Sequence, residues 1–166
     1  MHQLSDKTLL LLEDNVEFID NAVALFKMFV SRVMVARTIH EALMVLAKER
    51  IDIIISDIHL KNENGLDFIK QVREKDDKIP IVVLSGHKDE ALLFRAMTLN
   101  LSGYLLKPIN FKMLTDVFHA CLAKMQTSMQ TRITLKDGFV YDKALKKVTQ
   151  RGLDFELNKK EILFFE

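Results

Sequence analysis

Four short apolar runs in this chain each finish in a polar group, and that arrangement restricts the fold more than any other feature of the sequence. Leu9-Leu-Leu-Leu12 leads into the acidic pair Glu13-Asp14, and Ile51-Asp-Ile-Ile-Ile-Ser56 ends in Asp57. Ile81-Val-Val-Leu84 ends in Ser85, and Tyr104-Leu-Leu106 ends in Lys107-Pro108. Short apolar runs alternating with helix-period segments are the pattern of β-α units laid into a parallel sheet. In such a sheet the carboxyl ends of the strands share one edge, where ligands bind. The four polar endings are therefore expected to form one site.

Strands are read at 8–13, 33–36, 51–56, 80–84 and 103–106. Between them, Ile19, Val23, Phe26 and Val30 make one helical stripe, Ile39, Leu43 and Leu46 a second, and Leu66, Ile69 and Val72 a third. Thr38 with Glu41 three residues on is a capping box opening the second helix. On the fourth helix, Leu92, Leu93, Phe94, Ala96, Met97 and Leu99 spread over more than half the circumference, wider than one core-facing stripe needs. The fifth helix, from about 110 to 127, carries Phe111, Leu114, Val117, Phe118, Cys121 and Leu122. Five strands and five helices complete an α/β, doubly wound domain.

The chain of 166 residues has room for one such domain and a smaller unit. Residues 1–124 are assigned to the first domain, 125–131 to a polar linker or the frayed end of the fifth helix, and 132–166 to the second unit. That unit reads as an antiparallel meander, 132–135, 139–142, 146–149 and 153–157, with turn signals at Lys136-Asp-Gly138, Lys143-Ala144 and Arg151-Gly152. Asn158, with Glu161 reaching back, would cap a final helix beginning with Ile162-Leu-Phe-Phe165.

A net charge of +1 gives no bulk electrostatic argument for nucleic acid or membrane. The single cysteine, Cys121, excludes an intramolecular disulfide and suits a reducing cytoplasm. A four-leucine stretch is too short for a signal sequence or a membrane span. A cytoplasmic protein without a membrane partner is expected.

Each polar group has an ordinary reading beside the chemical one. Glu13 and Asp14 suit a hard divalent cation, and equally the acidic start of a helix capped by Asn15. Asp57 suits a nucleophile or a turn. Gly65, eight residues on, opens the third helix as a loop folding back over the aspartate would require. Ser85 offers a hydroxyl beside Gly86, whose bare backbone an incoming group can approach. Lys107 offers a point charge for a phosphoryl oxygen, with Pro108 directing the chain into the next helix. Co-occurrence at the ends of the right strands favours a phosphate-handling site.

Taken together, Leu10-Leu-Leu-Glu13-Asp14-Asn15, Asp57 with Gly65-Leu66, Pro80-Ile-Val-Val-Leu-Ser85-Gly86 and Tyr104-Leu-Leu-Lys107-Pro108 resemble the receiver domains of bacterial two-component response regulators. The resemblance covers roughly residues 6–126 and implies a flavodoxin-like five-stranded sheet. It implies that Asp57 accepts a phosphoryl group from a phosphohistidine on a sensor histidine kinase. Mg²⁺ would be held by Asp14, Asp57 and the backbone carbonyl of His59, with Glu13 acting through water. Lys107 and Ser85 would bind phosphoryl oxygens, Tyr104 would be the aromatic switch, and Pro108 is a cis-proline candidate. A homodimer through the fourth-helix, fifth-strand and fifth-helix face is a further implication, although Leu101-Ser-Gly103 replaces the acidic stretch that usually supports it. Lys61 stands where many receivers have proline. The histidines at 2, 40, 59, 87 and 119 show no metal-ligand spacing.

The second unit, with Leu157-Asn158-Lys-Lys-Glu161-Ile162-Leu163, resembles the start of the winged-helix output domain of OmpR/PhoB-type transcription regulators. Its eight Lys or Arg against six acids are no basic patch. No helix-turn-helix or wing follows, so the chain is expected to be truncated within its output domain and to hold no DNA-binding residues; DNA would be a partner only of the intact protein. Two alternatives stay open: a receiver acting only through protein contacts, and a phosphohydrolase using Asp57. The latter commonly has a second aspartate two residues on, where this chain has His59.

Overall fold

The structure, a computed structural model, describes residues 4–87, 90–130, 132–134, 139–142, 147–150 and 153–156. The chain divides into two compact units, Met1–Lys124 and Met125–Glu166.

In the first unit, β1 (Thr8–Leu12), β2 (Arg32–Ala36), β3 (Ile53–Asp57), β4 (Ile81–Ser85) and β5 (Gly103–Leu106) form one sheet in the order β2-β1-β3-β4-β5. All four pairings are parallel. Every residue of β3 and β4 is buried, because helices cover both faces. The helices are α1 (Val16–Phe26), α2 (Ile39–Lys48), α3 (Gly65–Lys75), α4 (Glu90–Ala96) and α5 (Phe111–Gln130), with a 3₁₀ turn at Met97–Leu99. Alternate strand residues supply the two cores. Leu10, Leu12, Ile54, Ile81 and Val83 pack with Ala42 of α2, Leu66, Phe68 and Ile69 of α3, and Ala96 and Leu99. Phe118 of α5 meets Phe26 of α1 edge-on at 6.3 Å and stacks at 4.7 Å on Phe29, in the turn that follows α1.

Short polar side chains fix the helix starts. Asn15 accepts from Phe18 N–H, Asn64 from Leu66 N–H and Asn110 from Met113 N–H. Thr38 Oγ1 accepts from Glu41 N–H, while Glu41 reaches back to the amide of Arg37, one residue before the cap.

Two sequence expectations need adjustment, and a third is sharpened. Met125–Gln130, read as linker or frayed helix end, continue α5, since that segment contains neither Gly nor Pro to stop a helix. Helix α1 ends at Phe26, so Val30 is buried from the following turn rather than from the helix. The broad apolar arc of the fourth helix divides: Ala96 and Leu99 are buried, whereas Phe94 and Met97 are 76% and 77% exposed. The side chains of Leu92 and Leu93 lie outside the described residues.

The second unit contains a four-stranded antiparallel sheet, β6 (Arg132–Thr134), β7 (Phe139–Asp142), β8 (Lys147–Gln150) and β9 (Leu153–Glu156), in sequence order. Its register sets Ile133, Tyr141, Val148 and Phe155 in one cross-strand row. The expected turns and the helix after Asn158 lie outside the described residues.

Candidate functional site

Register brings the polar strand endings to one edge. Leu12 is level with Ser56, Asp57 with Leu84, and Ser85 with Leu106, so Glu13, Asp57, Ser85 and Lys107 emerge together. At the centre, Lys107 Nζ donates to Glu13 Oε2 and Asp57 Oδ2, each at 2.5 Å. Both carboxylates are buried, at 1% and 3% exposure, so one ammonium supplies the positive charge that two desolvated anions require. Lys107 also lies over the Phe18 ring, 4.3 Å from its centre, an additional attraction for a cation. Phe18 escaped the sequence reading, because it lies outside the stripe of Ile19, Val23 and Phe26 that marked the first helix.

Burial pushes the Glu13 carboxyl above its ordinary range, and the nearby Asp57 charge adds to this; hydrogen bonds from Lys107 and the Asn15 amide offset part of it. Burial disfavours the charged form of Lys107, but its bonds to Asp57 and Glu13 outweigh this and raise its pKa. The lysine is therefore a fixed cation, suited to the spread negative charge of a phosphoryl group.

The loop after β3 is tied to the acids. His59 N–H donates to Asp57 Oδ1 at 2.8 Å, and His59 pairs with Asn64 across the loop. Gly65 closes it: a Cβ there would lie 1.8 Å from the Asp57 carbonyl oxygen, so no larger residue fits this backbone. Asp14 takes a different partner, the backbone N–H of Lys61, at 2.7 Å from Oδ2. Arg37 reaches the Asp14 carbonyl oxygen at 3.4 Å, another contact between distant segments that periodicity does not reveal.

Ser85 and Tyr104 share an acceptor. Ser85 Oγ and the Tyr104 hydroxyl each donate to the His87 carbonyl oxygen at 2.9 Å. The buried Ser85 is thus joined to the loop after β4, not to the carboxylates, and Tyr104 is half-buried beside it. Among the described residues, and apart from its two chain neighbours, no atom lies within 4 Å of a Cβ placed on Gly86. The Lys107–Pro108 peptide is cis.

Glu13, Asp14 and Asp57 are hard oxygen donors of the kind Mg²⁺ takes. Among the described residues, no three His, Cys, Asp or Glu side chains are grouped to hold a metal ion, a grouping that the expected set of two carboxylates and a backbone carbonyl does not require. Lys107 stands between Glu13 and Asp57, while Asp14 turns to Lys61.

Comparison with known proteins agrees with the fold. The chain resembles the response regulator SaeR of Staphylococcus epidermidis, at 26% identity over 156 residues, 92% of this chain and 68% of that protein. It is 25% identical to the transcriptional regulatory protein AfsQ1 of Streptomyces coelicolor, over 79% of this chain and 57% of that one. For the transcriptional regulatory protein MalR of Bacillus subtilis the identity is 23%, over 76% of this chain and 48% of that protein. The chain thus spans about half the length of several curated relatives. A CheY-like receiver domain from Methanospirillum hungatei superposes with a TM-score of 0.68 at 17% identity, covering 74% of this chain and 99% of that one. The chemotaxis response regulator CheY4 of Vibrio cholerae gives 0.63 at 24%, covering 70% and 98%; both structures speak to the fold alone. Residues 9–119 match the family described as the response regulator receiver domain, and this chain belongs to that family.

Proposed function

We propose that residues 1–124 form the phosphoacceptor domain of a two-component response regulator and that Asp57 takes a phosphoryl group from the phosphohistidine of a sensor kinase. The observation that carries this reading is the contact of Lys107 with Asp57 and Glu13 at the carboxyl edge of the sheet. Asp57 Oδ2 attacks phosphorus as the bond to the histidine nitrogen breaks, and the leaving imidazole keeps the electron pair. Lys107 then follows the negative charge onto the phosphoryl oxygens. Mg²⁺, held by Asp14, Asp57 and the His59 carbonyl with Glu13 through water, would neutralise further phosphoryl charge when bound. Ser85 turning from His87 to a phosphoryl oxygen would release one of the two bonds that hold the His87 carbonyl, leaving Tyr104 with the other.

Incubation with a small phosphodonor and Mg²⁺ is expected to add one base-labile phosphate, detected by mass spectrometry, and Asp57→Asn is expected to abolish it. Undiminished labelling of Asp57→Asn overturns the assignment.

The intact protein is proposed to regulate transcription, with 132–166 the beginning of a winged-helix output domain. The antiparallel sheet and the extent of the match to SaeR support this. DNA would be a partner of the intact protein only, and specific retardation of promoter DNA by these 166 residues alone would refute that. Exposed Phe94 and Met97 offer an apolar face to a second copy, and a monomer in sedimentation with and without a phosphoryl mimic would refute self-association.

A further inference from the structure

Asp57 and Glu13 share Lys107, but Asp14 is bound to the backbone N–H of Lys61 at 2.7 Å. We propose that this amide is a latch: Lys61 is a positioning residue that holds the Asp14 carboxylate on the loop after β3 and opposes its convergence with Glu13 and Asp57 on one divalent cation. The inference rests on the Mg²⁺ reading above.

Three observations support it. First, the donor is fixed in place. The loop is pinned by His59 N–H on Asp57 Oδ1, by Gly65 N–H on the Ile58 carbonyl at 2.9 Å and by the pairing of His59 with Asn64. Leu60, immediately before Lys61, is buried and anchors the segment from below. A pre-positioned donor binds a carboxylate with little further loss of backbone freedom. Second, the bond is charge-assisted and at a distance characteristic of strong N–H to carboxylate contacts, so a cation must compete for that oxygen. Third, Asp14 is engaged apart from the other acids: its partner is the Lys61 N–H, whereas Glu13 and Asp57 share Lys107.

The function belongs to the main chain. The Lys61 side chain is exposed, so any residue other than proline supplies the same donor, and proline removes it. Breaking a hydrogen bond to a charged group corresponds to roughly a tenfold change in an equilibrium constant. Deleting the donor is therefore expected to tighten Mg²⁺ binding by about tenfold.

The test is a Mg²⁺ titration of the whole chain, followed by amide NMR, for the natural sequence, Lys61→Ala, Lys61→Pro and a chain with an ester oxygen in place of the residue 61 amide N–H. In the natural chain the Lys61 amide signal is expected to move, and its hydrogen exchange to accelerate, as Mg²⁺ binds. Lys61→Ala should bind as the natural chain does, while Lys61→Pro and the ester should bind about tenfold more tightly. The ester keeps the lysine side chain and the loop backbone, so it decides the matter if Lys61→Pro does not fold. An unmoved Lys61 amide at saturating Mg²⁺, or an ester no tighter than the natural chain, overturns the latch while leaving the metal site standing. Failure of every chain to bind Mg²⁺ overturns the metal reading and the latch with it.

Discussion

The two sheets of this protein are assembled by opposite rules. In the parallel sheet Leu9 to Leu12 and Ile53 to Ile55 have no exposed surface, and helices lie on both faces. In the antiparallel sheet, among the described side chains, Tyr141, Asp142 and Val148 are buried, while Leu153 is 67% exposed. Tyr141 and Val148 are directly opposite one another in the ladder, so they form a single cross-strand pair. A parallel sheet needs crossover helices, and those helices provide its cover; antiparallel pairing imposes no such requirement. The parallel sheet carries the buried Glu13 and Asp57 at its carboxyl edge, and the antiparallel sheet carries a buried carboxylate of its own, Asp142.

Breaking the two cores separately should produce the largest contrast. Phe118→Ala removes a ring packed on Phe26 and Phe29 and is expected to cost the first unit about 3–5 kcal/mol in chemical denaturation. Val148→Ala should cost the second sheet roughly 1–2 kcal/mol and leave the receiver transition where it is. Equal shifts of one shared transition would show that the two sheets unfold as a single body.

Gly65→Ala should come next. Its Cβ would press on the Asp57 backbone itself, which has no room to yield, and a loss of about 3 kcal/mol is expected. Thermal stability unchanged within error would mean that the loop re-forms without this close approach.

Lys107→Met tests whether the buried acids need their cation. At pH 7 a cost of about 2 kcal/mol is expected, because two buried carboxylates lose their shared donor. The sign with pH follows from Glu13. Its folded pKa is raised, so the native state keeps a proton that the unfolded chain releases, and stability falls as pH rises from the unfolded value of 4.5 through the folded one. The variant should magnify that fall, lying close to the natural protein near pH 4 and well below it at pH 7. Parallel pH curves would contradict the pairing.

The smallest effect is expected at Lys124, whose ammonium donates to the Asn100 carbonyl oxygen at 2.9 Å beside the Arg73 guanidinium. Burial, and then Arg73, lower its pKa from 10.5 to about 8. Between these values the unfolded chain binds the extra proton, so this group makes the protein more stable as pH rises from 8 toward 10.5. Urea unfolding at pH 7 and pH 9 should show a smaller gain for Lys124→Met than for the natural chain. An identical gain would remove Lys124 from the account.

Much of this was legible in the sequence because it depends on period and sign. Continuous apolar runs marked the buried strands, and their polar endings marked one edge, since a parallel sheet aligns all its carboxyl ends. Gly65 could be read as a close approach because only a residue without Cβ permits one. The rest depended on pairs of positions far apart in the chain. The Phe18 ring over Lys107, Arg37 on the Asp14 carbonyl, and Arg73 holding the carbonyls of Leu99, Ile79 and Asn100 have no periodic signature. The fourth helix read as one wide apolar arc, and only packing divided it into buried Ala96 and Leu99 and exposed Phe94 and Met97.

The sequence by itself determined that four polar groups would meet at one sheet edge, because hydrophobic patterning sets the strands and chain direction sets which ends align. Tertiary structure alone decided how the charges there are shared. Lys107 goes to Glu13 and Asp57, and Asp14 goes to a main-chain N–H at position 61. Residue type gives the charge a group carries, but its partner is set by distance and burial, which exist only once the chain has folded.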